Sequence, residues 1–305
     1  MKRKREKSGL TLVELLTVLA IISLLVGLLI PAVTAVKNSA MEAKQKGQFF
    51  AIDVALMAFK GDYDAYGGYP PSDWLMPPTN YCGAQKLCEA LLGWDLLGFH
   101  PKSAWRADGL DEAAGPLSYD PPPRMRVDAG GNFLTFSERK GPYLELGTQT
   151  AFKLGDLFAR TGTGPLAPDT YVLCDVFGKT KVTLPGGKAV NAGAPILYYK
   201  ADTSGTIISA VYRINDNDGI VAVKETADGK LHPLGGGAPP APFASRNQYF
   251  YGIAGPTGAL LTPGYITDPK ITAKLWPYRP GSYILISAGA DGIYGTPDDI
   301  RNFGD

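Results

Sequence analysis

The 305-residue chain carries 30 Lys and Arg against 29 Asp and Glu, a formal net charge of +1, which speaks against a nucleic-acid binder, because phosphate contacts need a basic surface. Its 45% hydrophobic and 10% aromatic content is enough for a buried core and excludes a disordered chain; the length suggests about two structural units. Gly (37) and Pro (25) make up about a fifth of the chain against a usual ~12%, which argues for turns and long loops over a helical bundle or a doubly wound sheet.

The charge is unevenly placed. Residues 2–7 read KRKREK, followed by Ser8-Gly9 and then LTLVELLTVLAIISLLVGLLI, in which Glu14 is the one charged residue between Leu10 and Ile30. As a helix that run spans about 32 Å, close to the ~30 Å hydrocarbon core of a bilayer. The basic cluster in front of it favours the cytoplasmic side, with later residues outside. A cleaved secretory signal accounts for the basic and apolar regions and offers Val33-Thr34-Ala35 as a cleavage site. The apolar run, however, is longer than such signals use, and it holds an acid. A plain signal anchor leaves Glu14 unexplained, at a cost of roughly 2–3 kcal/mol in a bilayer.

The stretch SGLTLVELLTVLAIISLLVGLLIPA resembles the class III signal of type IV pilins and type II secretion pseudopilins. The resemblance implies cleavage after Gly9 by a prepilin peptidase and methylation of the new amino terminus on Leu10, where the family usually has Phe. It also implies that Glu14 is the assembly acid of the mature helix and Pro31 its helix-kinking proline. Methylation keeps the terminal amine cationic, with a pKa near ~8. That amine and the Glu14 carboxylate of a neighbouring copy neutralise each other in apolar surroundings, and removing either strands a buried charge at roughly 3–5 kcal/mol. Loss of residues 1–9 leaves 25 basic against 28 acidic residues, a net −3. The resemblance further implies an inner-membrane, single-pass protein with its head in the periplasm. Its partners would be copies of itself, other pseudopilins, an assembly platform and that platform's ATPase, with no nucleic acid and no catalytic role.

Beyond Pro31 the pattern becomes amphipathic. Phe49, Ile52, Leu56, Phe59 and Tyr63 recur at steps of 3 and 4, so helix is expected from about Thr11 to Lys60 with one stripe on the protein's own core. Gly61–Tyr81 reads as an exit loop. Leu87, Leu91 and Leu92 suggest a short helix ended by Gly93, and residues 98–145 read as loop. A second short helix is expected near Thr148–Ala159. Strands are expected at Tyr171–Phe177, Ile196–Lys200, Ile207–Ile214, Ile220–Lys224, Gln248–Ile253 and Ser282–Ala288, and with no helices between them the sheet should be antiparallel. The expected fold is thus α+β: a long N-terminal helix, transmembrane then amphipathic, packed on an antiparallel β-sheet head with a loop-rich insertion. Its divisions are a leader (1–9), a membrane and assembly helix (10–30), its continuation (31–62), the insertion (63–165) and the sheet head (166–305). Residues 175–202 are weakly similar to a strand region of major pseudopilins, with Phe177 where that family has Trp.

The run SAGADGIYGTPDDI (287–300) spaces Asp291, Asp298 and Asp299 with glycines, an oxygen-rich pattern suited to Ca²⁺. It resembles the calcium loop near the C-terminus of major pseudopilins. On that resemblance Asp291 and Asp299 are the leading side-chain ligands, followed by Asp298, with carbonyls such as those of Ser287 or Tyr294 completing the shell. Asn215-Asp216-Asn217-Asp218-Gly219 looks like the middle of an EF-hand, but Ile214 stands at the first ligand position, so a β-hairpin turn is expected there. Cys82, Cys88 and Cys174 are odd in number, so at least one is unpaired within a monomer. His100 and His232 both lie beside proline, Thr161–Gly164 leads into Pro165 with no helix to hold a phosphate, and no nucleophile elbow or phosphate loop occurs. The functional expectation is a structural subunit of a type II secretion pseudopilus or a related pilus-like filament. The alternative is a membrane-tethered or filament-tip recognition module that binds a polymer or secreted cargo through residues 64–165.

Overall fold

A computed structural model describes residues 12–63, 68–74, 80–109, 119, 138–145, 151–159, 162–184 and 187–304. These divide into two compact units, one through Ala43 and one from Lys44 onward. Helix α1 (Leu12–Asp62) runs through Pro31, where the missing N–H leaves the Gly27 carbonyl without its helical donor. Among the described residues it is the one helix long and apolar enough to cross a membrane.

In the head, α1 buries the expected stripe: Phe49, Ile52, Leu56, Phe59 and the following Tyr63 are all buried. Helix α2 (Gly83–Leu92) follows. Strand β1 (Ala151–Lys153) leads directly into α3 (Leu154–Phe158), so the helix expected near Thr148–Ala159 is half strand; residues 148–150 lie outside the described set. Strand β2 (Tyr171–Leu173) pairs antiparallel with β1, and β3 (Thr180–Thr183) pairs with β4 (Ala189–Ala192). Then come β5 (Leu197–Lys200), α4 (Ile208–Val211), a 3₁₀ turn (Ile214–Asn217), α5 (Asp218–Asp228) and α6 (Arg246–Tyr251). Strands β6 (Ile253–Ala254), β7 (Leu260–Thr262), β8 (Tyr283–Ser287) and β9 (Ile300–Arg301) complete the chain. Every strand pair is antiparallel, and the central sheet has the order β5-β8-β9.

Three expected strands are helices instead. Ile207–Ile214 forms α4 and the start of the 3₁₀ turn, Ile220–Lys224 lies within α5, and Gln248–Ile253 is mostly α6. The β-branched residues there favour strand locally. Tertiary burial overrides that preference: Ile220, Val221 and Val223 all enter the core from α5, which ends on Gly229 in the left-handed conformation. The 215–219 hairpin turn is likewise replaced, by the 3₁₀ turn and the first residues of α5.

The central sheet divides the core in two. Along β5 and β8, Tyr198, Tyr283 and Leu285 join the α1 and α2 stripe, whereas Leu197, Tyr199, Ile284 and Ile286 join residues from α4, α5 and α6. This is the period-2 alternation of a strand buried on both faces. It explains why Tyr283–Ser287 is apolar almost throughout and buried at every position. Polar bonds fix α1 on its side of the sheet. The Tyr283 hydroxyl donates to Asp53 at 2.6 Å, Gln48 Nε2 donates to the Cys174 carbonyl at 2.8 Å, and the Val176 N–H donates to Gln45 Oε1 at 3.0 Å.

Phe59→Ala should therefore lower head stability by about 3–5 kcal/mol. Phe50→Ala, on the exposed side of α1, should change it by no more than about 0.5 kcal/mol. Chemical denaturation of the two variants measures the contrast, and equal effects would contradict the burial pattern.

Candidate functional site

Two regions of the chain carry the predicted functional residues. In the first, Gly9 and Leu10 lie outside the described residues. Glu14 sits in the first turn of α1, on a helix whose side chains are exposed from Leu12 through Ala40. Pro31 lies within the same helix.

The second region is the loop between β8 and β9, which folds back on itself. Gly289 adopts φ +60°, and a Cβ there would lie 2.2 Å from the Asp298 carbonyl oxygen, so only glycine closes this turn. The Asp291 N–H donates to Asp298 Oδ2 at 2.8 Å, the Ile293 N–H donates to Asp291 Oδ1 at 2.7 Å, and Thr296 Oγ1 donates to Asp298 Oδ1 at 2.5 Å. The loop thus brings Asp291 and Asp298 together. Burial and the adjoining Asp298 push the Asp291 carboxyl up. Burial also acts on Asp298, but hydrogen bonds from Thr296 and Asp291 outweigh it and hold that carboxyl down. The opposite shifts follow from how differently the two adjoining carboxyls are hydrogen-bonded.

Asp299 is turned to another task. Its Oδ2 accepts from the Tyr265 hydroxyl and from the Gly295 N–H at 2.7 Å, and burial pushes the carboxyl up to about 7. The Ser287 hydroxyl donates to Asp175 Oδ2 at 2.9 Å, and the Tyr294 hydroxyl donates to the Pro195 carbonyl at 2.5 Å. The Tyr294 carbonyl accepts from Leu234 at 3.3 Å. Of the five predicted ligands, Asp291 and Asp298 are the pair whose carboxyls meet. Among the described residues no group of three or more His, Cys, Asp or Glu side chains gathers as a metal cage.

Asp175 anchors this loop from below, a role that the sequence did not announce. Its Oδ1 accepts from the N–H groups of Phe177 and Ala194, both at 3.1 Å. A Cβ at Gly193 would stand 2.0 Å from that oxygen. Burial pushes Asp175 up to about 6 despite these bonds. His232, fully buried, accepts the Tyr294 N–H on Nδ1 at 2.9 Å, and its Nε2 lies 3.4 Å from Asp228. Burial holds His232 below the usual imidazole value.

The 215–219 run is a structural junction. Asp216 accepts from Ser72 Oγ at 2.5 Å, and Asn217 Oδ1 accepts the Ala84 N–H at 2.8 Å, capping α2 from a distance, while its Nδ2 donates to the Tyr198 carbonyl at 2.8 Å. Asp218 pairs with Arg246 at 2.8 Å. Each polar side chain ties a different element, which no local pattern reveals. Burial pushes Asp216 up to about 6. In the insertion, the buried Glu89 accepts from Ser103 and is pushed up to about 6 by its own burial. The three cysteines are buried free thiols, with Cys82 placed just ahead of α2.

With this geometry in view, residues 4–30 match the family model described as the prokaryotic N-terminal methylation motif. On a long apolar N-terminal helix, that match marks the chain as a type IV pilin-like, or pseudopilin, protein. The motif implies processing by a prepilin peptidase and assembly with related pilins, and it indicates a structural subunit. The single apolar helix fits membrane anchoring. No curated protein and no solved structure matches the chain.

The buried carboxyls make stability pH-dependent. Asp175, Asp216, Glu89 and Asp299 have folded values of about 6 to about 7, above the ~4 of an unfolded chain. The stability they contribute is complete below pH ~4 and is lost as pH rises through about 6 to 7. His232 acts oppositely: its contribution is present above pH ~6.5 and is lost as pH falls through its lowered folded value. The head should therefore melt at higher temperature at pH 5.5 than at pH 8, by several degrees at about 2–4 °C per kcal/mol. Asp175→Asn should flatten that difference. A melting temperature that climbs from pH 5.5 to pH 8 would contradict the assignment.

Proposed function

We propose that the protein is a structural subunit of a type II secretion pseudopilus or a related type IV pilus-like filament, held in the inner membrane with its head outside the cytoplasm until assembly. The observation that carries this reading is the second face of α1. In the head half, Ala43, Gly47, Phe50, Val54, Met57 and Gly61 are all exposed and all apolar or glycine. Phe50, Val54 and Met57 are 71%, 51% and 62% exposed. This ladder steps by 3 and 4 and continues back through Ala40, Val36 and Val33 to Leu12 without a polar residue. An unbroken apolar seam at this spacing is the geometry by which helices pack on helices. Large exposed apolar surface marks an interaction site, and here the matching surface is the same helix in another copy. Glu14, near the start of the seam, supplies the charge that receives the terminal amine of the adjoining subunit.

In this filament, Ca²⁺ stiffens the β8–β9 loop. Asp291 and Asp298 are its side-chain ligands, with loop carbonyls and water filling the 6–8 oxygen positions that the ion takes. The Ser287 and Tyr294 hydroxyls and Asp299 Oδ2 remain in their structural bonds.

Mass spectrometry of the mature protein should find an N-methylated Leu10 at the terminus; a start near Val36 would overturn the filament reading. Val54→Glu, on the seam, should block polymerisation while leaving the melting temperature of the head within about 2 °C, because exposed positions contribute little to stability. Separately, millimolar CaCl₂ should raise that melting temperature relative to EGTA, and Asp298→Asn should abolish the rise. Calcium-independent melting would remove the metal and leave the filament reading standing.

A further inference from the structure

Two adjoining clefts of about 400 and about 350 Å³ share Asp73, Arg213 and Asp216 in their walls. Both fall within the ~300–1,000 Å³ range of small-ligand sites. Their walls are firmly held. Ser72 donates to Asp216 Oδ2 and accepts the Lys200 N–H at 2.9 Å, the Tyr198 hydroxyl donates to the Pro70 carbonyl at 2.7 Å, and Lys86 Nζ donates to the Asp73 carbonyl at 2.5 Å and to its carboxylate at 3.1 Å. The segment 68–74 is thereby pinned against β5 and the 3₁₀ turn. No filament contact is needed to account for these bonds.

Within this rigid frame several polar groups have no protein partner among the described residues. Trp74 Nε1 is buried and donates to nothing. Arg213 is exposed, and its guanidinium makes no hydrogen bond or ion pair. The buried Asp216 takes the Ser72 hydroxyl on Oδ2, and its Oδ1 accepts no protein hydrogen bond. Asn247 adds an exposed amide to the second cleft. Tyr251 supplies the complement. Its hydroxyl is spent, donating to the Tyr212 carbonyl and accepting the Ile214 N–H, both at 2.9 Å, so what it can offer a ligand is its ring.

The chemistry of the occupant follows from this set. The second cleft carries Asp73 and Asp216 against Arg213, nearly balanced, which suits neither a strong anion nor a multivalent cation. A lipid would want a dry, apolar lining. Interleaved donors and acceptors beside aromatic rings suit a ligand with hydroxyls around its rim and C–H groups on its faces. We propose that this cleft binds a neutral saccharide, with Trp74 Nε1, Arg213 and Asp216 Oδ1 engaging ring hydroxyls and the Tyr251 ring supporting an apolar sugar face. The inference goes beyond the filament reading and does not depend on it.

The test uses the full chain in a detergent without a sugar headgroup, titrated with maltohexaose, cellohexaose and chitohexaose, with an oligogalacturonate as the charged comparator. Saturation-transfer NMR and calorimetry should show binding of at least one neutral oligosaccharide with Kd at or below about 1 mM. Trp74→Phe, which keeps an aromatic ring and removes the N–H donor, and Arg213→Ala, at an exposed position, should each weaken that binding about tenfold or more. Arg213→Ala should melt within about 2 °C of the parent, and Trp74→Phe, which trims a ring packed against the core, should keep a cooperative melt well above the titration temperature. No binding of any neutral oligosaccharide at about 10 mM, binding that survives both substitutions, or binding of the oligogalacturonate alone would overturn the proposal.

Discussion

The apolar surface of α1 is larger than the head can cover, and that imbalance sets the terms for the rest of the molecule. One stripe, from Gln45 to Tyr63, is buried under the central sheet, α2 and the insertion. The other, from Ala43 to Gly61, stays open. At about 25 cal/mol per Å² of apolar area, leaving Phe50, Val54 and Met57 in water wastes several kcal/mol of available burial. A monomeric protein would gain by replacing them with polar residues at no expense to its own core. A helix that keeps both faces apolar is one whose second face is covered by something else. A membrane fits the part near Leu12–Ile30; for Phe50, Val54 and Met57, in the head, the filament proposed above would supply the cover from another copy.

Covering the first stripe dictates how the head is built. Because β8 must present Tyr283 and Leu285 to α1 and Ile284 and Ile286 to the other side, both faces of this short sheet need a lid. The second lid comes from α4, α5 and α6, which is why the sequence between β5 and β8 becomes helical where its local preference is for strand. The polar residues at the joints are correspondingly demanding. Asp175, Asp216 and Asp299 each sit where two or three segments meet, accept hydrogen bonds from them, and are buried deeply enough to resist ionisation. Such groups contribute little net stability at neutral pH but specify which segments dock where.

The legible parts of this fold are those in which one periodicity governs a long stretch. The 3-and-4 recurrence from Phe49 to Tyr63 and the apolar run at Tyr283–Ser287 each announced their partner surface, and the N-terminal signal announced its class. Ile207–Ile214 and Ile220–Lys224 misled because Ile and Val prefer strand locally, whereas their state is decided by Leu166, Phe250 and Tyr294, residues far away in the chain that share their core. The C-terminal loop was legible as a set of oxygens but not as a geometry: that Asp299 turns to Tyr265 while Asp298 meets Asp291 depends on a tyrosine 34 residues earlier. Asp175 and the cleft around Asp216 were invisible for the same reason. Their partners come from separate stretches of the chain, and no spacing rule links Ser72 to Asp216 or Ser287 to Asp175.

A filament subunit and a ligand-binding head make compatible demands on such a chain. In the proposed filament, assembly would use the open seam of α1, a surface that has no residue in common with the cleft. Trp74 and Tyr251 of the cleft pack against the cluster that holds Tyr199 and Ile284, whereas the buried stripe of α1 packs with Tyr283 and Leu285. With separate residues, polymerisation need not occupy the cleft, nor a ligand the seam. The unpaired Trp74 N–H and Arg213 guanidinium are not required by the fold, which ties segment 68–74 down through Ser72, Pro70 and Lys86 instead. A buried donor left without an acceptor costs about 1–3 kcal/mol. Trp74 Nε1 is one of several such buried atoms among the described residues, with Gln45 Nε2 and Asn302 Nδ2, and it is the one that lines the cleft, where a ligand would bring its acceptor.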